Sequence, residues 1–225
     1  MQVISTIERV RLNYAASTIG FIVLYTFTVA TFSAEFLKLW LHSIYFIVAE
    51  MIKLVIIQKY YGLDLSYSQE GVRKKRSNKV GDSIKFAVLM IMTIFFYAFI
   101  CVIMGAPPLT HVEETLTLSS LLTALTIFPI SLFIGVSGTL GILFTETFEL
   151  VNVTSQEYLK LLQRNAYLVI FGAFIGSIAF PLDWDRPWQA YPIPNITGAI
   201  TGQMLGCFYC FFETMVRYKL GKKYR

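Results

Sequence analysis

Runs of about twenty apolar residues, separated by short patches that hold nearly all the charge, constrain this chain more than any motif in it. Twenty residues make a helix about 30 Å long, the thickness of a bilayer's hydrocarbon core. No backbone polar group can stay unpaired there, so several such runs fold as a bundle of helices. Of the 225 residues, 56% are hydrophobic and 15% are charged. An ordinary soluble domain carries about 25% charged residues, so most of this surface does not face water. No stretch is long and polar enough for a second folded domain. The sequence predicts one all-α integral membrane domain, 1–225, with about six transmembrane helices. Their spans fall at about 14–34, 39–57, 86–105, 115–136, 166–180 and 193–212.

The net charge of +5 would raise nucleic-acid binding in a soluble chain. Here the basic residues flank the apolar runs, so topology accounts for them and no nucleic-acid partner is expected. Arg9 and Arg11 precede the first run. Arg73, Lys74, Lys75, Arg76 and Lys79 fill the longest polar stretch, and Arg217, Lys219, Lys222, Lys223 and Arg225 end the chain. Six spans place all three groups on one side, which the positive-inside rule makes cytosolic, with both termini. The opposite loops carry Glu35 with Lys38, then His111 with Glu113 and Glu114, then Asp183, Asp185 and Arg186. The first run lacks a signal-peptide cleavage pattern, so the first helix is expected to serve as its own insertion signal. Lys222 and Lys223 suit either a dilysine retrieval signal read in the cytosol or an ordinary basic flank. The sequons at Asn152 and Asn195 are expected to stay unused, the first on the cytosolic side and the second against the membrane.

Three features sit inside the runs. Glu50 and Lys53, three apart on one helix face, can pair. Lys53 is expected to snorkel from the membrane edge toward the basic loop; the competing reading is a polar site inside the bundle. Pro129 predicts a kink in span four, and Gly135, Gly138 and Gly141 predict a break or re-entry before an interfacial segment. Cys101, Cys207 and Cys210 are expected to pack as small apolar residues, because one CxxC without partners cannot complete a zinc site.

The least ordinary segment joins spans five and six, from Phe180 to Pro194. Its prolines stiffen the connection. Trp184, Trp188 and Tyr191 suit a membrane interface, and Arg186 can pair with Asp183 or Asp185. Gly172 and Gly176 in span five, with Gly198, Gly202 and Gly206 in span six, lie four apart on one helix face and allow close backbone approach. A tight hairpin carrying the Asp-Trp-Asp-Arg turn at its tip follows. A second patch is Gly105-Ala106-Pro107 with Glu114-Thr115, where Glu114 either complements the helix dipole or joins the aspartates in a polar site. The chemistry of these residues fits recognition or docking, a purely structural brace, or an acid–base site, and the last lacks an evident nucleophile. No phosphate loop, HExxH, GxSxG or spaced aspartate series occurs. No catalytic residue, metal ligand or cofactor is assigned to this chain.

Pro181-Leu182-Asp183-Trp184-Asp185-Arg186-Pro187-Trp188-Gln189, then Pro192-Ile193 and Gly198-Ala199 with Gly202, resembles the glycosylphosphatidylinositol biosynthesis class F protein family. Gly105-Ala106-Pro107 and Glu114-Thr115 resemble it at the family's spacing, so the likeness covers roughly 105–206. Tyr191 stands where the family has tryptophan. The resemblance implies a multi-pass protein of the endoplasmic reticulum membrane that acts in building the glycosylphosphatidylinositol (GPI) anchor. It implies a non-catalytic, stabilising subunit of the enzymes that transfer ethanolamine phosphate to mannose. Those multi-pass partners resemble alkaline phosphatases and hold zinc in their own lumenal domain; the donor is phosphatidylethanolamine. Asp183, Trp184, Asp185, Arg186, Trp188, Gln189 and Glu114 are the residues expected to meet that partner or a lipid, phosphatidylethanolamine or the GPI precursor. Two other classes stay open: a lipid transporter or scramblase, and a self-sufficient transferase.

Overall fold

A computed structural model describes residues 2–32, 41–63, 79–107, 109–144, 150–178 and 189–223. Seven helices make up the fold among them: α1 (Gln2–Phe32), α2 (Leu41–Tyr61), α3 (Lys79–Ile103), α4 (Val112–Leu125), α5 (Ile127–Phe144), α6 (Val153–Ser177) and α7 (Ile193–Lys223). The stretches 6–31, 41–61, 80–103 and 127–144 are each long and apolar enough to cross a membrane. Outward residues are apolar as well: Val88, Met92, Phe95, Phe96, Phe99 and Ile103 of α3 are all exposed. A soluble monomer rarely exposes so large an apolar face.

The helices overrun the expected spans. α1 begins at Gln2 rather than near 14, α6 at Val153 rather than 166, and α7 continues to Lys223 rather than 212. Hydropathy marks where apolar residues begin and end, but a helix continues wherever its charged residues find partners. Here they find one another. Arg11 of α1 is buried and bridges Glu157 of α6 and Glu213 of α7, the latter at 3.3 Å. Arg164 and Arg217 reach the same Glu213 carboxylate at 2.8 and 2.6 Å. Glu213 lies just beyond the apolar stretch of α7. Burial pushes its carboxyl up, but hydrogen bonds from Arg164 and Arg217 and the charge of Arg11 outweigh this and hold it at about 2.

A carboxyl depressed in the fold contributes stability above its unfolded value of about 4.3 and loses it as pH falls through the folded value. Glu213→Gln is therefore expected to lower the melting temperature of the detergent-solubilised chain at pH 7. The difference should shrink between about pH 4 and pH 2. A gap that stays constant across that window would show that the ionic cluster does not hold α1, α6 and α7 together.

Span four is a broken rod. Pro129 lacks an N–H and its ring crowds the carbonyl four residues back; α4 ends at Leu125 and α5 begins at Ile127. Thr126 covers the break, donating to Leu122 O (2.6 Å) and sharing a 2.8 Å bond with the Tyr97 hydroxyl of α3. A second break falls at Gly135, whose φ of 76° and ψ of 174° suit glycine. Beyond it Thr139 donates to Ser131 Oγ at 3.1 Å, so the last turns of α5 fold back on its first half.

The expectation that Lys53 snorkels is overturned. Lys53 is 2% exposed and Glu50 4%. Lys53 Nζ donates to Thr18 Oγ1 at 2.9 Å and to Glu50 Oε1 at 2.5 Å, and sits 4.7 Å from the Tyr14 ring centre. Gln203 Nε2 approaches the same Glu50 oxygen at 3.4 Å, and Asn165 Nδ2 donates to the Tyr14 hydroxyl at 3.0 Å. The pair faces α1 and α7 rather than the membrane edge because Thr18 of α1 and Gln203 of α7 supply it polar partners. Cys207 and Cys210, both buried and free, pack beside this region.

Candidate functional site

The site is built on the α6–α7 hairpin. A Cβ added to Gly172 would lie 2.2 Å from the Gly198 carbonyl oxygen, and one on Gly176 would lie 2.2 Å from that of Pro194. Added to Gly198 it would meet the Gly172 oxygen at 2.2 Å, and added to Gly202 the Leu168 oxygen at 2.1 Å. These helices touch backbone to backbone, which only residues without side chains permit. Gly206 differs: its close neighbour is the Asn165 side-chain oxygen, at 2.2 Å from an added Cβ. Asn195 fastens the hairpin, its Nδ2 donating to Ala173 O at 3.1 Å.

Clamped in this way, the end of α6 and the start of α7 emerge together. Asp183, Trp184, Asp185, Arg186 and Trp188 lie outside the described residues. Gln189, the first described residue after them, is half-buried. The Ile193 N–H then donates to Ala190 O at 2.9 Å and starts α7.

The second sequence patch arrives at the same tip. Gly105 closes α3 with φ 107°, its N–H on Val102 O and the Ala106 N–H on Cys101 O, the paired bonds of a Schellman motif. The chain turns through Ala106 and Pro107 and enters α4, with Glu113 and Glu114 in the first turn, where carboxylates suit the helix dipole. The His111 ring contacts Glu114 Oε1 at 3.3 Å and packs edge-on to Tyr191, ring centres 6.4 Å apart. Tyr191 donates its hydroxyl to Thr115 Oγ1 at 3.1 Å. Burial pushes the Tyr191 phenol up to about 12, opposed by the Thr115 bond, so it stays a neutral donor at physiological pH.

Of the expected residues, Glu114 and Gln189 thus stand at the hairpin end of the bundle, and the glycines run from there along the α6–α7 crossing to Gly206 beside Asn165. Two residues carry more than the sequence suggested. Tyr191 ties α4 to α7, and His111 connects it to Glu114. The buried polar set of Asn165 and Gln203 around Tyr14 and Glu50 was also missed. A lone amide inside an apolar run is the one signal that could have found it. No group of three metal-ligating side chains gathers among the described residues.

Residues 22–211 match the GPI biosynthesis protein family Pig-F. A relative from Debaryomyces hansenii, glycosylphosphatidylinositol anchor biosynthesis protein 11, is 28% identical over 165 residues, covering 70% of this chain and 68% of its own. The Mus musculus protein named GPI ethanolamine phosphate transferase, stabilizing subunit, is 32% identical over 134 residues, 60% of this chain and 59% of its own. The chain thus spans less than two thirds of the mouse relative. A shorter stretch of 42 residues is 50% identical to the biosynthesis protein 11 of Eremothecium gossypii and covers 19% of each. No solved structure matches.

Proposed function

Because the chain belongs to the GPI biosynthesis protein family Pig-F, we propose that it is a non-catalytic, stabilising subunit of a GPI ethanolamine phosphate transferase. The observation that carries this is the likeness to mammalian relatives bearing that name, 32% identical in mouse and 31% in human. The tip of the α6–α7 hairpin is its docking surface for the catalytic, alkaline-phosphatase-like subunit, whose own domain holds the zinc. Asp183, Trp184, Asp185, Arg186, Trp188, Gln189 and Glu114 are the residues this reading assigns to that surface. In this reading the chain is a single multi-pass domain of the endoplasmic reticulum membrane, with six crossings and both termini cytosolic. The clustering of Arg11, Arg164 and Arg217 at the end opposite the tip supports that orientation.

Asp185→Asn and Trp188→Ala are expected to reduce capture of the transferase in mild detergent while the chain itself stays monodisperse. Tryptophans buried at protein interfaces each contribute about 2 kcal/mol or more when they are hot spots, so Trp188→Ala should weaken capture at least ten-fold. Wild-type capture and wild-type transfer of ethanolamine phosphate by both variants would refute the docking surface.

A further inference from the structure

The ionic cluster where α1, α6 and α7 meet holds more cations than it balances. Arg11, Lys160, Arg164 and Arg217 share two carboxylates, Glu157 and Glu213, so the cluster carries a positive surplus. Arg11, its side chain 6% exposed, ties the three helices together and can meet nothing outside them. The side chains of Lys160 and Arg217 are 60% and 53% exposed, and that of Arg164 is 31%. Their donors are not exhausted. Arg164 and Arg217 each give one guanidinium nitrogen to Glu213, and Lys160 stands 3.5 Å from Glu157. A guanidinium has five N–H groups and an ammonium three.

The surroundings set the depth of this patch. Residues three or four apart share a helix face. One such row on α6 reads Lys160, Arg164, Tyr167, Phe171, and one on α7 reads Arg217, Glu213, Tyr209, Leu205. Both pass from charge through an exposed tyrosine into exposed hydrocarbon. Tyrosines gather at the level of lipid headgroups. The Arg164 guanidinium lies over the Tyr209 ring, 4.5 Å from its centre, and joins the two rows. Phe212, Met215 and Val216, within a turn of Glu213, are exposed as well. The cations therefore edge a lipid-facing surface rather than open water.

We propose that this patch binds the headgroup of a phospholipid with net negative charge, in the leaflet at the end of the bundle opposite the hairpin. Arg164 and Arg217, drawn to one carboxylate, present planar donors that match phosphate oxygens. Lys160, one turn from Arg164, adds charge. Glu157 and Glu213 hold these cations in place without cancelling them. A zwitterionic head brings a cation of its own, which the surplus repels. A soluble anion lacks the acyl chains that Leu205 and Phe212 would meet, so the occupant is a lipid. The site goes beyond the subunit reading and does not depend on it.

Native mass spectrometry of the full, delipidated chain in detergent tests this, with phosphatidylserine, phosphatidylcholine and inorganic phosphate as probes. Phosphatidylserine should be retained about ten-fold more than phosphatidylcholine, since each basic residue near a membrane surface supports roughly five-fold. Phosphate should not displace it. Lys160→Gln with Arg217→Gln removes the surplus and leaves Arg11 and Arg164 bridging the helices. The melting temperature without lipid should therefore hold while the preference falls to near parity. Should that pair not fold, Lys160→Gln alone, at an exposed and loosely held side chain, should cut the preference several-fold. Lys85→Gln, at a 70% exposed lysine of α3 beside Asp82, should change nothing. Equal retention of the two lipids overturns the proposal. So does a preference that survives the double variant, an equal loss in Lys85→Gln, or displacement by phosphate.

Discussion

Gly198→Ala, one added methyl group, should leave little folded protein. The new Cβ would stand 2.2 Å from the Gly172 carbonyl oxygen, 3.0 Å from its carbon and 3.2 Å from the Gly176 Cα. Every one of those atoms is backbone, so no rotamer change can relieve the clash. The helices must separate, and separation undoes the close packing along their whole crossing together with the Asn195–Ala173 bond. Overpacking a core ordinarily costs about 1–3 kcal/mol, and a contact with no compliant atom belongs at or above the top of that range. Gly206→Ala should be milder, because the obstructing Asn165 oxygen and Leu168 methyl belong to side chains that can move. Gly20→Ala, with nothing within 4 Å of the new methyl, should be neutral or stabilise by up to about 1 kcal/mol through helix propensity. Fluorescence-detected size exclusion after a heat ramp gives the three melting temperatures. Any order other than Gly198 lowest, Gly206 intermediate and Gly20 highest would contradict backbone contact as the basis of the hairpin.

The second large effect is expected at Lys53. Lys53→Met leaves Glu50 at 4% exposure with only the 3.4 Å approach of Gln203 in place of the ammonium. Breaking a buried ion pair from one side costs about 3–5 kcal/mol, whereas replacing both partners with neutral groups of similar shape is often neutral or stabilising. Lys53→Met alone should therefore strip the chain from the membrane fraction, and Lys53→Met with Glu50→Gln should restore it. The pair also decides between functional classes. A transporter or scramblase needs a polar path across the bundle, and these two charges are the deepest ones described. If the double variant supports display of a GPI-anchored reporter at wild-type level, the pair registers α2 against α1 and α7 and carries no cargo. A folded double variant without anchored reporter would favour transport.

Most of the architecture was legible because it follows from where apolar residues run and stop. The kink at Pro129 and the break at Gly135 could be read from residue chemistry, since neither a missing N–H nor a positive φ depends on neighbours. The glycine spacing of 172 and 176 against 198, 202 and 206 pointed to the hairpin for the same reason. Helix length was not legible: hydropathy alone set the expected spans, and the pairing of Arg11, Glu157, Arg164 and Glu213 across three helices depends on the fold. Lys53 was misjudged on that account. A lysine about two turns from the end of its helix snorkels when nothing polar faces it, and the hydroxyl of Thr18 and the amide of Gln203 come from helices far away in sequence. Tyr191 shows the limit in the other direction. It stands where the resembled family has tryptophan, yet its hydroxyl bond to Thr115 is a contact that indole carbon cannot make.

The subunit reading makes one demand on cells that no other class makes. A stabilising partner controls how long the transferase lasts, and a catalyst or lipid carrier controls only its turnover. The decisive measurement is the half-life of the catalytic subunit after synthesis is blocked, in cells with and without this chain. It should fall several-fold without the chain, with the specific activity of the surviving enzyme unchanged. An unchanged half-life accompanied by lost product would contradict the account.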